Sequence, residues 1–252
     1  MPKPNKRRLV DVEQRQGMVF LWLRSGLAGN RMDDATDSAL CRTLEDLAFD
    51  DGVRVVVVAA RERDFCLGAA QALTPGTALQ SIQALARLEC PTVAVIQGGA
   101  AAEGCELALA CDLRLAATRS YFALPQLRAG QFPCHGATQR LPRLIGRMRA
   151  LDMLWTGRRV SAREAWRWGL VNTVVPSRQL YPEAERLART LAERAPLGLR
   201  FIKEAVGKGL DGTLEQGMRL EEDLYALLQT TTDWRRGIAA FRRKTRAGFL
   251  GR

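Results

Sequence analysis

Histidine is almost missing from this sequence: His135 stands alone among 252 residues. The six cysteines, at positions 41, 66, 90, 105, 111 and 134, form no C-x-x-C pair and no metal-ligand spacing. A zinc centre built from local His and Cys motifs is therefore not expected, and no metal site is assigned. The cysteines read instead as reduced, mostly buried thiols of a cytoplasmic protein. Long apolar runs are also lacking. None approaches the roughly 18 residues that a membrane-spanning helix needs, so no membrane association is expected. The N-terminal stretch Met1-Pro-Lys-Pro-Asn-Lys-Arg-Arg8 is basic with no apolar segment behind it, which argues against a secretory signal. No internal repeat or low-complexity segment is present.

Positive charge is abundant: 38 Lys and Arg face 27 Asp and Glu, for a formal net charge of +11. Much of the excess sits at the ends, in residues 3–8 and at Arg235, Arg236, Arg242, Arg243, Lys244 and Arg246. No nucleic-acid-binding fingerprint and no aromatics interleaved with the basic residues accompany it, so nucleic acid is not expected as a partner. A small phosphate-bearing ligand remains compatible with the charge.

Periodicity organises the chain. Val19-Phe-Leu-Trp-Leu23 reads as a strand closed by a turn, and Asp33 or Asp34 can cap a helix reaching about residue 49. Val53-Arg-Val-Val-Val-Val-Ala59 is nearly continuous in β-branched apolar residues, as a strand buried on both faces should be. A loop at 61–76, a helix near 78–88 and a strand at 92–96 follow. The small-residue stretch 97–104 then leads to a helical pattern at 105–112 and a short strand at 112–116. Strands and helices alternating at this spacing predict parallel crossover units. Further helices are expected at 136–144 and 147–155. Ser161-Ala-Arg-Glu164 has a capping-box pattern heading another, which Gly169 ends. Residues 181–194, 196–208 and 214–230 are helical, and the tail after Asp233 is basic and amphipathic. The result is an α/β layer followed by a helical third.

Two loops, Phe65-Cys-Leu-Gly-Ala-Ala70 and residues 98–105, each follow a buried strand and are rich in small residues, which permit close backbone approach to a ligand. The second opens a helix, whose free N–H groups and dipole favour negative charge. They read either as tight βα turns or as a pair of amides aimed at one carbonyl oxygen, the requirement for an oxyanion hole. Glu106, in the first helical turn, either complements the dipole or moves protons beside that hole.

Five segments together resemble the crotonase (enoyl-CoA hydratase/isomerase) superfamily. They are Phe65-Cys-Leu-Gly-Ala69; the run ending Gly104-Cys-Glu-Leu-Ala-Leu-Ala-Cys-Asp112; Thr138-Gln-Arg-Leu-Pro-Arg-Leu-Ile-Gly146 with Leu154-Trp-Thr-Gly157; Gly169-Leu-Val-Asn172 through Pro176; and Gly237-Ile-Ala-Ala-Phe241 with Lys244 and Phe249. The likeness runs colinearly over roughly residues 10–252. It implies an α/β spiral of ββα units, with residues 1–195 as the core carrying a CoA-thioester site. Residues 196–252 would form a helical region for oligomerisation, giving a homotrimer or a hexamer built as a dimer of trimers. An acyl-CoA thioester is the implied partner, and no separate cofactor is expected because coenzyme A belongs to the substrate.

Carried over by position, the oxyanion amides are those of Ala69 and Glu103. Leu67, Gly68, Ala70, Gln71 and Ala72 line the CoA and acyl site, and Cys134 and His135 border the acyl pocket. Glu106 matches the first of two glutamates that hold and deprotonate water. The second glutamate's position, after Pro125, is Gln126. An amide can hold a water molecule but cannot exchange a proton at neutral pH. Three readings follow. One is hydration of an enoyl- or dienoyl-CoA in which Glu106 does more than its usual share. Another is a different reaction in the same hole, such as hydrolysis, decarboxylation or isomerisation; the last is a binding protein with impaired catalysis. Glu103 stands where relatives place a small residue. Its carboxylate is expected to face solvent or cap the helix, because near the oxyanion it would oppose the developing charge; a catalytic carboxylate at this position is the alternative. The stretch between Ala70 and Pro91 is shorter than in typical hydratases, hinting at a more open pocket.

Overall fold

The computed structural model describes residues 9–70 and 79–252. Its centre is a six-stranded sheet ordered β1-β2-β3-β4-β6-β9: β1 (Val10–Arg15), β2 (Met18–Leu23), β3 (Val55–Ala60), β4 (Thr92–Ile96), β6 (Leu113–Ala117) and β9 (Thr173–Val175). β1 and β2 form an antiparallel hairpin, and every later pairing in this sheet is parallel. The expected crossover units are thus present. The β1 strand is an addition to the sequence reading, since its polar residues Asp11, Glu13 and Gln14 dilute the apolar signal at an edge.

β3 explains its own composition. Val56, Val58 and Ala60 face one core cluster, whereas Val55, Val57 and Ala59 face another. Alternate side chains point to opposite faces of a strand, so burial on both faces demands an unbroken apolar run. One face is covered by α1 (Asp34–Ala48), α2 (Gln80–Arg87) and α3 (Glu103–Ala110). The other is covered by α7 (Ser177–Ala192) through Leu180, Ala184, Ala188 and Ala192, at helical spacing. The small alanines let that helix approach the sheet closely.

A second, thinner layer decides where the loops go. β5 (Gly99–Ala101) pairs in parallel with β7 (Tyr121–Ala123), which pairs antiparallel with β8 (Val160–Ser161). Single parallel bridges, Cys66 to Ala100 and Met32 to Ala69, extend this layer past β5. β2, β3, β4 and β6 are therefore each followed by a short stretch that turns into the second layer before the next helix: a strand, strand, helix repeat wound into a spiral. The stretch 97–104 is accordingly more than a turn. It contains β5, and α3 starts at Glu103, two residues earlier than the periodicity indicated.

The chain continues through a 3-10 turn (Gln126–Ala129), α4 (Ala137–Ile145), α5 (Arg147–Thr156) and α6 (Ala162–Arg167), and ends in α8 (Pro196–Gly209), α9 (Leu214–Thr230) and α10 (Thr232–Arg243). Thr213 and Gln216 form a complete capping box at α9, whereas at α6 the Ser161 side chain accepts from the Glu164 amide and the Glu164 carboxylate is paired with Arg158. Lys203 of α8 ties the C-terminal helices to the core by reaching Asp112 at 2.7 Å and the Cys90 carbonyl at 3.0 Å. Among the described residues no helix is long and apolar enough to cross a membrane.

Candidate active site

The two small-residue loops meet. Cys66 N donates to Gly99 O at 3.1 Å, and Ala101 N donates to Cys66 O at 2.9 Å. Gly104 permits that contact, because a Cβ there would sit 2.1 Å from the Cys66 carbonyl oxygen. Gly68, at φ +101°, carries the first loop through a conformation that side chains rarely adopt. Ala102, at φ +49°, does the same for the second loop just before α3. A non-glycine residue held there stores strain of the kind that clusters at functional sites.

Leu67 packs into gaps left by two glycines: Cβ atoms at Gly29 and Gly99 would lie 2.6 and 2.5 Å from its methyl carbons. Ala70 donates its amide to Met32 O at 2.7 Å, and its side chain is exposed. Gln71 and Ala72 lie outside the described residues.

At Ala69 and Glu103 the sequence expectation needs correcting. Glu103 is neither solvated nor a cap of its own helix: it is 8% exposed, and its Oε2 accepts from the Ala69 amide at 2.7 Å. The carboxylate therefore reaches across to the other loop and occupies one of the two amides assigned to the oxyanion hole. Gly68 again makes the room, since a Cβ there would be 2.6 Å from Glu103 Oε2. The Glu103 amide itself heads α3, where an N–H has no intrahelical acceptor, and it donates to no backbone carbonyl of the described residues.

Glu106 is fully buried. Its Oε1 accepts from the amides of His135 (2.8 Å) and Ala137 (3.1 Å). Its Oε2 accepts from Gln126 Nε2 at 3.2 Å and lies 3.4 Å from His135 Nδ1. A carboxylate offers about four acceptor positions, and three of them accept hydrogen bonds here. The shorter bonds fall on Oε1 and the longer ones on Oε2, so Oε2 is the oxygen whose partners yield most readily. The Gln126 side chain, 4% exposed, leaves its Oε1 buried with no hydrogen-bond partner among the described residues.

His135 is buried at 1% exposure, whereas the neighbouring Cys134 is exposed. Arg140 Nη1 donates to the His135 carbonyl at 2.7 Å and pins this turn ahead of α4. Partial burial raises the Cys134 thiol above the ordinary thiol range, and the charges of Glu106 and Glu103 add to that rise. One thiol thus senses both carboxylates. The amides of Ala137 and Leu79, which complete the surroundings of Glu106 and His135, were not legible in the sequence because a backbone N–H leaves no compositional trace. Among the described residues no group of three or more His, Cys, Asp or Glu side chains could hold a metal ion.

Strand, strand, helix units wound into a spiral, with two small-residue loops joined beside a buried carboxylate on the helix that follows, define an α/β protein of the crotonase fold. Residues 13–252 match the enoyl-CoA hydratase/isomerase family, and the chain belongs to it. It is 33% identical to the 2,3-dehydroadipyl-CoA hydratase of Escherichia coli K12 over 250 residues, covering 96% of this chain and 98% of the relative. It is 38% identical over 165 residues to a crotonyl-CoA hydratase of Syntrophomonas wolfei, covering 66% of this chain and 64% of that one. The crystal structure of an enoyl-CoA hydratase from Bacillus anthracis superposes with a TM-score of 0.92 at 31% identity, covering 97% of this chain and all of the other.

Proposed function

We propose that this protein is a cytoplasmic enzyme that adds or removes water at an enoyl- or dienoyl-CoA thioester. The observation that supports this most directly is the Ala69 amide. No backbone carbonyl of the described residues accepts from it, and it donates to a carboxylate oxygen of Glu103, the residue that opens α3, at 2.7 Å. An enolate oxygen has the same chemistry as that carboxylate oxygen. In this reading the thioester oxygen takes the Ala69 and Glu103 amides, which stabilise negative charge as it develops.

Glu106 carries the proton. Water adds through its oxygen to the β-carbon while Oε2 of Glu106 takes the released proton. The same carboxylic acid then returns that proton to the α-carbon as the enolate collapses. One proton shuttled by one group balances the addition, which is what a site with Gln126 in place of a second glutamate requires. Gln126 Oε1, a buried acceptor without a partner among the described residues, holds the attacking water by its other hydrogen. Coenzyme A enters as part of the substrate. The apolar side chains exposed on α8, α9 and the turn between them, among them Ile202, Val206, Leu210, Leu214 and Met218, fit association into the trimer or hexamer that the family resemblance implies.

A second reading keeps the hole and changes the chemistry to hydrolysis, decarboxylation or isomerisation. Gln126 favours it, because a neutral amide removes one of the two proton carriers. Incubation with crotonyl-CoA separates the two: hydration abolishes the absorbance of the conjugated thioester, whereas unchanged substrate at high enzyme concentration favours the second. Under either reading Glu106→Gln should lower turnover by at least about 100-fold, the usual worth of a positioned acid–base group, while CoA-ester binding survives.

A further inference from the structure

A carboxylate in an oxyanion hole is an anomaly. Hole amides raise the rate because they stay free for the charge that appears only in the transition state. Here the Ala69 N–H already carries a full anionic partner, contributed by the next loop of the same chain. The contact is built into the backbone. Ala102 at φ +49° turns the chain so that Glu103 opens α3 while its side chain reaches back toward residue 69. Gly68 leaves out the one carbon atom that would block the carboxylate, by 2.6 Å to Oε2 and 2.8 Å to the Ala102 Cβ. The side chain is 8% exposed, so solvent does little to weaken the bond.

We propose that Glu103 is an internal competitor for the thioester oxygen: its carboxylate fills the Ala69 half of the oxyanion hole in the free protein and must swing out before an acyl-CoA carbonyl can bind. This rests on the acyl-CoA reading above and adds a specificity element to it. A ligand gains the hole only if its carbonyl, together with the rest of its contacts, outcompetes a tethered anion. Compounds that bind through the CoA moiety alone do not face that competition. Glu103 therefore tunes how much the site favours a polarisable thioester over other CoA derivatives. It also keeps the Ala69 amide from being left bare when no substrate is bound.

The test compares two probes by isothermal titration: acetyl-CoA, which has a thioester carbonyl, and S-ethyl-CoA, a thioether that has none. Replacing Glu103 by Ala removes the competitor. Acetyl-CoA should then bind about tenfold more tightly or better, the worth of one hydrogen bond to a charged group, while S-ethyl-CoA binding stays the same. Glu103→Gln, which keeps the size and an acceptor oxygen but not the charge, should fall between wild type and the alanine variant. It also covers the case in which the alanine variant misfolds. Unchanged or weakened acetyl-CoA binding in both variants overturns the proposal, and so does an equal gain for the two probes. If wild type and variants bind neither probe, the acyl-CoA reading fails and this proposal with it. If the probes bind but the carbonyl makes no difference, only the competitor fails.

Discussion

The Leu79 amide donates to His135 Nε2 at 2.9 Å, which leaves Nδ1 as the nitrogen that carries the ring hydrogen, 3.4 Å from Glu106 Oε2 and 3.6 Å from Cys134 Sγ. His135 thus links the start of α2, through its ring, to the buried carboxylate, which accepts from its backbone amide at 2.8 Å. His135→Leu strands the Leu79 N–H. A loss of about 1–3 kcal/mol in urea-denaturation stability is expected, the cost of a buried unsatisfied group. His135→Gln, which can still accept from Leu79, should recover part of it. Equal stability of the leucine variant and wild type would count against the bridge.

Gln126→Glu restores the second carboxylate implied by the family resemblance. Gln126 Nε2 lies 3.2 Å from Glu106 Oε2, so the variant sets two carboxyl groups against each other, and one must hold a proton at neutral pH. That proton is what the α-carbon needs. Hydration of crotonyl-CoA should rise by about tenfold or more, within the range that a placed general acid contributes. No rise in turnover, with the protein folded, would argue that Gln126 belongs to a different reaction.

Cysteine labelling of the native protein should single out Cys134. It is exposed, whereas the other five thiols are buried, and burial pushes Cys66, Cys105 and Cys111 up to about 12. The Cys134 thiol is itself raised, first by burial and then by Glu106 and Glu103, so its thiolate is scarce near neutrality and its labelling should accelerate as pH rises through and beyond the ordinary thiol range. Glu103→Gln removes one of the charges and lowers that thiol. At a fixed pH near 8 the variant should label faster. Mass spectrometry after timed alkylation gives both results.

Two glycines should respond in opposite directions to alanine. At Gly104 the new Cβ would meet the Cys66 backbone at 2.1 Å, so the loops must separate, with a loss of about 3 kcal/mol or more or no folded protein at all. At Gly207, inside α8 and exposed, the Cβ meets nothing within 4 Å. Alanine there should stabilise by about 0.4–1 kcal/mol through the lower entropy of the unfolded chain. Thermal unfolding of the two variants checks the contrast.

The helix cap at Asp33 carries a pH dependence. Its side chain accepts from both the amide and the hydroxyl of Thr36, and the hydroxyl contact chiefly holds the carboxyl below the usual carboxylate range. Its folded value is depressed, so the stability it lends is full above the ordinary carboxylate range and lost as pH falls through the folded value. Asp33→Ala should cost about 1 kcal/mol near neutral pH, and less in acid, in chemical denaturation.

The sequence by itself determined the long elements and the family. Val53 to Ala59, Thr92 to Ile96 and the helices of the C-terminal third announce themselves because local periodicity reports which faces are buried. The strand β5, three residues long, and β8, two residues long, carry no period and took shape only through pairing with distant partners. The same division runs through the site. Ala69, Glu103, Glu106, Gln126, Cys134 and His135 were all nameable from motif positions. Their relations were not: which oxygen of Glu106 faces Gln126, which ring nitrogen of His135 carries the proton, and above all where the Glu103 carboxylate points. Those outcomes depend on side chains and amides separated by 20 to 56 positions along the chain. Only packing of the two sheet layers brings them within hydrogen-bonding distance, and no local pattern encodes that distance.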